Sequence, residues 1–191
     1  MLAISKFISR LLYSISFWLR KFGIFYRSNL LRFHIFARGG KVGRNFQVRK
    51  NVAFDLGENI VVSIGDNVIL SENVHIYVTE NGQLNIGNGV FIGRYSLLTA
   101  HENLSIGDNS QVAHFVSIID SGHDFYSDDH IHKGIKGPIV IGSDVLVGTQ
   151  SVILRGAKIG DRAVLGAGCV VTGSIPAHHI ARGNPVKSVE Y

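Results

Sequence analysis

Residues 141–175 read IGSDVLVGTQSVILRGAKIGDRAVLGAGCVVTGSI, and every sixth residue from the first is apolar: Ile141, Val147, Ile153, Ile159, Leu165 and Val171. In a chain that is 46% apolar, six successive hits in a given register arise by chance roughly once in a hundred. Four residues after each hit stand Val145, Ser151, Ala157, Ala163, Cys169 and Ile175, mostly small, and a glycine or polar residue commonly follows the hit itself. A period of six fits neither an amphipathic helix nor a plainly alternating strand. It fits short parallel strands that turn a corner every six residues, coil upon coil, with large aliphatics inward and small residues in the corners.

The register recurs upstream at Ile64, Leu70 and Ile76, at Ile86, Ile92, Leu98 and Leu104, and at Ile106, Val112 and Ile118. The marker Ile-Gly followed by a polar pair stands at Ile64, Ile86, Ile106, Ile141 and Ile159, at spacings of 22, 20, 35 and 18. Three hexads make 18, so the spacing of 35 is one coil plus 17 further residues. Those residues, from about 120 to 137 (DSGHDFYSDDHIHKGIKG), are expected as a loop thrown out of an all-β parallel β-helix.

A chain of 191 residues supports one domain with a sizeable core. Its 22 glycines against 3 prolines imply many tight turns without the period of collagen. A single cysteine, Cys169, excludes an internal disulfide and fits a reducing cytoplasm.

The net charge of +5 hides an asymmetry. Residues 1–54 carry 11 Lys or Arg and no acid, leaving 8 basic against 14 acidic side chains from Asp55 on. Within this leader Ile4, Ile8, Leu11, Ile15, Leu19 and Phe22 recur at alternating steps of four and three, one face of a helix, punctuated by Lys6, Arg10, Arg20 and Lys21. The longest uncharged run, Leu11 to Leu19, is nine residues, whereas a span needs about 20. A cleaved signal peptide competes, but no small-x-small site follows and basic residues continue through Arg27, Arg32 and Arg38. Residues 1–38 are therefore expected as a basic amphipathic helical segment. It would lie peripherally at the inner face of the cytoplasmic membrane, or pack on the domain of residues 39–191 or on a neighbouring subunit. No nucleic-acid-binding motif accompanies the basic arm.

The tract from Ile141 through GAGCVVTGSIP to GNPVKSV resembles the hexapeptide-repeat acetyltransferases, close to the galactoside and maltose O-acetyltransferase branch, and the likeness extends from Ile64 to about Val189. The resemblance implies a left-handed coil, acetyl-CoA as co-substrate without a metal, and a homotrimer with sites shared between subunits. Left-handedness rests on it alone, since parallel crossovers are otherwise nearly always right-handed. The segment IGDNSQVAHFVSIIDSGH (106–123) matches the family without a gap and brings the family's catalytic histidine onto His123. An imidazole with an unperturbed pKa of ~6.5 suits a base that takes a sugar hydroxyl proton near neutral pH. Asp120 or Asp124 would orient it, unless both merely solvate the loop.

By the same resemblance the CoA arm runs near Gly148, Thr149, Gly166 and Ala167, with Arg182 and Lys187 as cations for phosphate. Leu146, after Asp144 and Val145, stands where the family often has a stacking tryptophan. The acceptor contacts of galactoside acetyltransferase fall on Gly93 and His101, so acceptor identity does not carry over, and Arg94, Tyr95 and His101 are the acceptor-side candidates. Carbonic anhydrases on this fold have two histidine ligands five residues apart, whereas no pair among His101, His114, His123, His130 and His132 has that spacing. The expected activity is O-acetylation of a sugar hydroxyl in a bacterial surface polysaccharide or its lipid-linked precursor. The rivals are N-acetylation of a nucleotide-linked amino sugar and a non-enzymatic scaffold.

Overall fold

The computed structural model describes residues 2–191, with side-chain surroundings given for residue 10 and from residue 12 on; Ile4, Ile8 and Leu11 of the amphipathic stripe lie outside the described side chains. Helix α1 (Leu2–Ala37) is followed by short strands that stack into three parallel sheets, the faces of a triangular coil. This is the left-handed β-helix expected from the repeat and the resemblance. The first face ends on the row Ile64, Ile86, Ile106, Ile141, Ile159 and Ile175, paired in register from coil to coil. The second carries Leu70, Ile92, Val112, Val147 and Leu165. The third carries Phe54, Ile76, Leu98, Ile118, Ile153 and Val171.

Each hit of the period-six register from Ile64 on is buried, as are all six residues standing four later. Burial of such aliphatic side chains stabilises by about 1.5–3 kcal/mol each, so the stacked rows supply most of the drive to coil. Cys169 is one of the corner residues; burial pushes its thiol pKa up, and its Sγ donates to the Ala181 carbonyl at 3.4 Å. Corners need left-handed backbone, and asparagine tolerates it best among non-glycine residues. Asn45, Asn67 and Asn109 hold one corner and Asn51 and Asn73 another, all with φ between 53° and 60°. Two bulky residues, Tyr95 and Phe115, adopt φ of 58° on that second corner and stack on each other at 5.1 Å.

The loop leaves the third face after Ser117–Ile119 as an antiparallel hairpin of Ser121–His123 with Gly134–Lys136 and returns to the first face at Ile139–Ile141. Its bounds agree with the count of extra residues.

Helix α1 closes the open end of the coil. Ser28 and Ile35 are buried against the first coil, Ser28 Oγ accepts from the Val48 N–H at 2.9 Å, and the Arg32 guanidinium donates to the Gly43 carbonyl at 2.8 Å. Arg38 donates to the carbonyls of Leu56 and Gly57 at 2.7 and 2.8 Å. Basic residues of the leader, for which the sequence left membrane contact and packing both open, here satisfy strand-edge carbonyls of the first coil. The helix also carries exposed apolar side chains, Ile15, Trp18, Leu19, Phe22 and Phe25 in its outer half and Leu30, Phe33 and Phe36 beside the cap. Among the described residues no helix is long and apolar enough to cross a membrane.

Candidate active site

The third face has an entry corner, where the second face ends, and an exit corner, where the loop leaves. His114 and Thr149 stand at the entry and Asp120 and Leu154 at the exit, because Ser117 pairs with Val152 and Ile119 with Leu154. This division sorts the expected site residues into two groups.

At the exit corner lie His101, Asp120, His123 and Asp124. His123 is exposed on the hairpin, paired through its backbone with Gly134. The side chain of Asp120 is 0% exposed and does not reach toward His123. It accepts from the backbone N–H groups of His101 and Glu102 at 2.8 Å and meets His101 Nδ1 at 3.2 Å. The expected pairing of Asp120 with His123 therefore gives way to a pairing with His101, whose ring also meets Tyr77 edge-on at 5.8 Å. The physical reason is coil stacking, which sets Asp120 beside the turn of the preceding coil. Asp124 is engaged within the loop. Its hydrogen bond from Lys133 (2.9 Å) outweighs partial desolvation and, with the Tyr126 N–H, holds its carboxyl below the usual range. Lys136 Nζ donates to the His101 carbonyl at 3.0 Å and ties the hairpin to this corner.

At the entry corner lie Arg94, Tyr95, Gly148, Thr149, Gly166 and Ala167, in a column rising to Arg182 and Lys187. A side chain on Gly148 would meet the Ala167 nitrogen at 2.6 Å, so this glycine is required by coil stacking. Gly166 is different: the space its Cβ would take borders Arg182 Cβ at 3.5 Å, and the neighbouring Gly168 opens on empty space. Thr149 donates to the His114 carbonyl at 2.8 Å. Arg182 and Lys187 are directly paired across the antiparallel strands His179–Arg182 and Lys187–Glu190, and both are exposed. Like charges in that position repel, and an anion between them relieves the repulsion. Small residues beneath a facing pair of cations fit the phosphates of a CoA-type ligand.

The expected acceptor trio is split, with Arg94 and Tyr95 at the entry corner and His101 at the exit. The His101–Asp120 contact was missed from sequence. Its signal was a separation of 19 residues, near the 20-residue coil length that prevails there. Among the described residues no three of His, Cys, Asp or Glu gather at metal-ligand geometry.

Residues 138–173 match the family described as bacterial transferase hexapeptide (six repeats). A probable acetyltransferase of Mycobacterium tuberculosis is 36% identical over 112 residues, covering 57% of this chain and 37% of the relative. The galactoside O-acetyltransferase of Escherichia coli is 36% identical over 87 residues, 45% of this chain and 43% of that protein. The match therefore spans less than half the length of these curated relatives. An N-acyltransferase of Bacillus cereus, in complex with dTDP-4-amino-4,6-dideoxyglucose and coenzyme A, shares the fold with a TM-score of 0.70 at 22% identity, over 78% of this chain and 82% of that one. A hexapeptide-repeat acetyltransferase of Vibrio cholerae with bound acetyl-CoA superposes with a TM-score of 0.56 at 21% identity, over 74% and 70%. The chain is a hexapeptide-repeat protein of the left-handed β-helix class. Its sequence relatives are named acetyltransferases, the galactoside enzyme among them.

Proposed function

We propose that this protein is an acetyl-CoA-dependent O-acetyltransferase acting on a sugar hydroxyl, in a bacterial surface polysaccharide or its lipid-linked precursor. The observation that carries the reading is its 36% identity to a galactoside O-acetyltransferase. Acetyl-CoA supplies an activated thioester at the entry corner. The His123 imidazole takes the proton from the hydroxyl as it attacks the thioester carbonyl, and the imidazolium gives it to the CoA thiolate that leaves as the C–S bond breaks, so no acyl-enzyme is needed. Arg182 and Lys187 hold phosphate, and Gly166 and Ala167 leave room for the pantetheine arm. Asp120 acts by holding His101 at the exit corner, while Arg94 and Tyr95 meet the acceptor from the entry corner.

His123 and Thr149 stand at opposite ends of the third face, roughly 13–17 Å apart for four or five residues of strand. One chain therefore does not bring base and donor together. A homotrimer, in which the loop of one chain reaches the entry corner of the next, closes that gap. The exposed aromatic side chains of α1 amid arginine and lysine support peripheral attachment at the inner face of the cytoplasmic membrane, where lipid-linked sugars sit.

N-acetylation of a nucleotide-linked amino sugar is the second reading, favoured by the fold shared with an enzyme that binds such a sugar. The test is thiol release from acetyl-CoA by the full chain, with hydroxyl and amino acceptors in parallel. We expect turnover with hydroxyl acceptors and a loss of about 10²–10⁴-fold in His123→Ala. Turnover that survives His123→Ala overturns the mechanism, a preference for amino acceptors favours the second reading, and absence of CoA binding leaves the scaffold.

A further inference from the structure

A cleft of about 530 Å³ opens between helix α1 and the entry corner, at the end of the coil remote from Arg182 and Lys187. Its size is within the range of small-molecule sites. Six cations line it: Arg20, Lys21 and Arg27 from the helix, Arg49 and Lys50 from the first coil, and Arg94 from the third. One carboxylate, Glu72, faces them, 3.6 Å from Arg49 and 3.0 Å from Arg94. Burial pushes the Glu72 carboxyl up, but a backbone hydrogen bond and the two arginines outweigh this and hold it below the usual range, so it stays charged. Even so the cations are in large excess, and Arg49 Nε is buried with no hydrogen-bond partner.

Gly23 sits in mid-helix, where glycine costs about 1 kcal/mol relative to alanine. A Cβ there would come within 2.9 Å of the Arg27 guanidinium. Arg27 folds back over this glycine, and its Nε donates to the Val48 carbonyl at 3.4 Å. Lys21 is held at 4.7 Å over the Phe17 ring, which also lines the cleft. Arginine forks on two sides of a slot suit a polyvalent anion, and a diphosphate offers them more charge and more oxygens than the single Glu72 carboxylate does. On one side the apolar Leu19 and Ile24 line the cleft. On the other, Arg94 is followed by Tyr95, stacked on Phe115, one coil from Thr149. The Arg94 N–H also donates to His114 Nδ1 at 2.9 Å, joining the cleft to the donor column.

We infer that this cleft binds a diphosphate, and that the acceptor sugar is presented to the entry corner while linked through it to a carrier. The assignment of the bound molecule as acceptor rests on the transferase reading above; the anion site does not. The same chemistry occurs in a prenyl-diphosphate sugar and in a nucleoside-diphosphate sugar.

The test uses the full chain and inorganic pyrophosphate as probe, followed by calorimetry at two salt concentrations. Arg20 and Lys50 are exposed, so Arg20→Gln with Lys50→Gln should leave the thermal midpoint unchanged. We expect the paired substitution to weaken pyrophosphate about tenfold or more, wild-type affinity to fall with salt, and acetyl-CoA affinity to stay constant. In turnover, the same pair should raise KM for a sugar carried on a diphosphate and not for the free sugar. The lower KM, for the prenyl or for the nucleoside carrier, identifies the source. No pyrophosphate binding, binding indifferent to the substitutions, or a parallel loss of acetyl-CoA affinity overturns the assignment. If no acetyl transfer occurs but pyrophosphate binds with these dependences, the transferase reading falls and the anion site stands.

Discussion

Asp120 has no exposed side-chain surface and faces two backbone N–H groups and the His101 ring. Removing its carboxylate strands those donors in a place water does not reach, and hydrogen bonds to a charged group contribute about 1.5–3 kcal/mol each. Asp120→Ala is expected to lower unfolding stability by about 2–4 kcal/mol and to free the His101 ring, with Asp120→Asn losing less because it keeps one acceptor. Urea unfolding of the two variants checks this, and equal stability of wild type and Asp120→Ala would refute it. Reading along the chain put Asp120 three residues from His123 and so suggested that pair. In the coil, a residue's nearest side-chain neighbours are about 20 positions away, and only the period locates them. The period itself was legible because each hit is an aliphatic side chain with almost no exposure. A polar contact such as Asp120 with His101 occurs once and leaves no repeat to read.

Helix α1 does two things along its length. From Arg27 to Arg38 it caps the first coil, its arginines and Ser28 hydrogen-bonding to backbone groups of that coil. It also presents exposed apolar side chains, from Ile15 to Phe25 on both sides of Arg20 and Lys21, and at Leu30, Phe33 and Phe36 beside the cap. The sequence announced the helix through its four-and-three spacing, and left open membrane contact or packing. The second half packs on the domain, and the periodicity of the apolar stripe does not reveal this because Ser28, Ile35 and long basic side chains make the cap; membrane contact is the reading proposed for the exposed apolar side chains. Deleting residues 1–38 would therefore uncover the first coil as well as remove any membrane contact. The cleaner variant is Trp18→Ser with Phe22→Ser and Phe25→Ser, side chains that are 65%, 68% and 67% exposed. It should keep the thermal midpoint of the full chain and lose flotation with vesicles containing anionic phospholipid. Equal flotation of the two proteins would rule out this half of the helix as the attachment surface.

Across the whole molecule, the proposed mechanism divides its chemistry between the two corners of the third face. The loop histidine stands at the exit, while the small residues and the Arg182–Lys187 pair stand at the entry. The sequence named both halves through its resemblance, but distance along the chain says nothing about which end of a face a residue occupies. Register does, and it sets the halves apart within one chain. If loop and entry corner meet only between chains, a cyclic trimer has three sites, each taking its base from one chain and its donor contacts from another. Two inactive variants should then rescue each other: His123→Ala, which keeps an intact entry corner, and Arg182→Gln with Lys187→Gln, which keeps the base. Refolded together in equal amounts, their chains assort at random, and about a quarter of the sites draw both intact halves. The mixture should recover about a quarter of wild-type thiol release, whereas each variant refolded alone stays at its own low rate. A mixture no more active than the average of its two components would mean that each chain completes its own site, and the loop would then have to swing across the third face to do so.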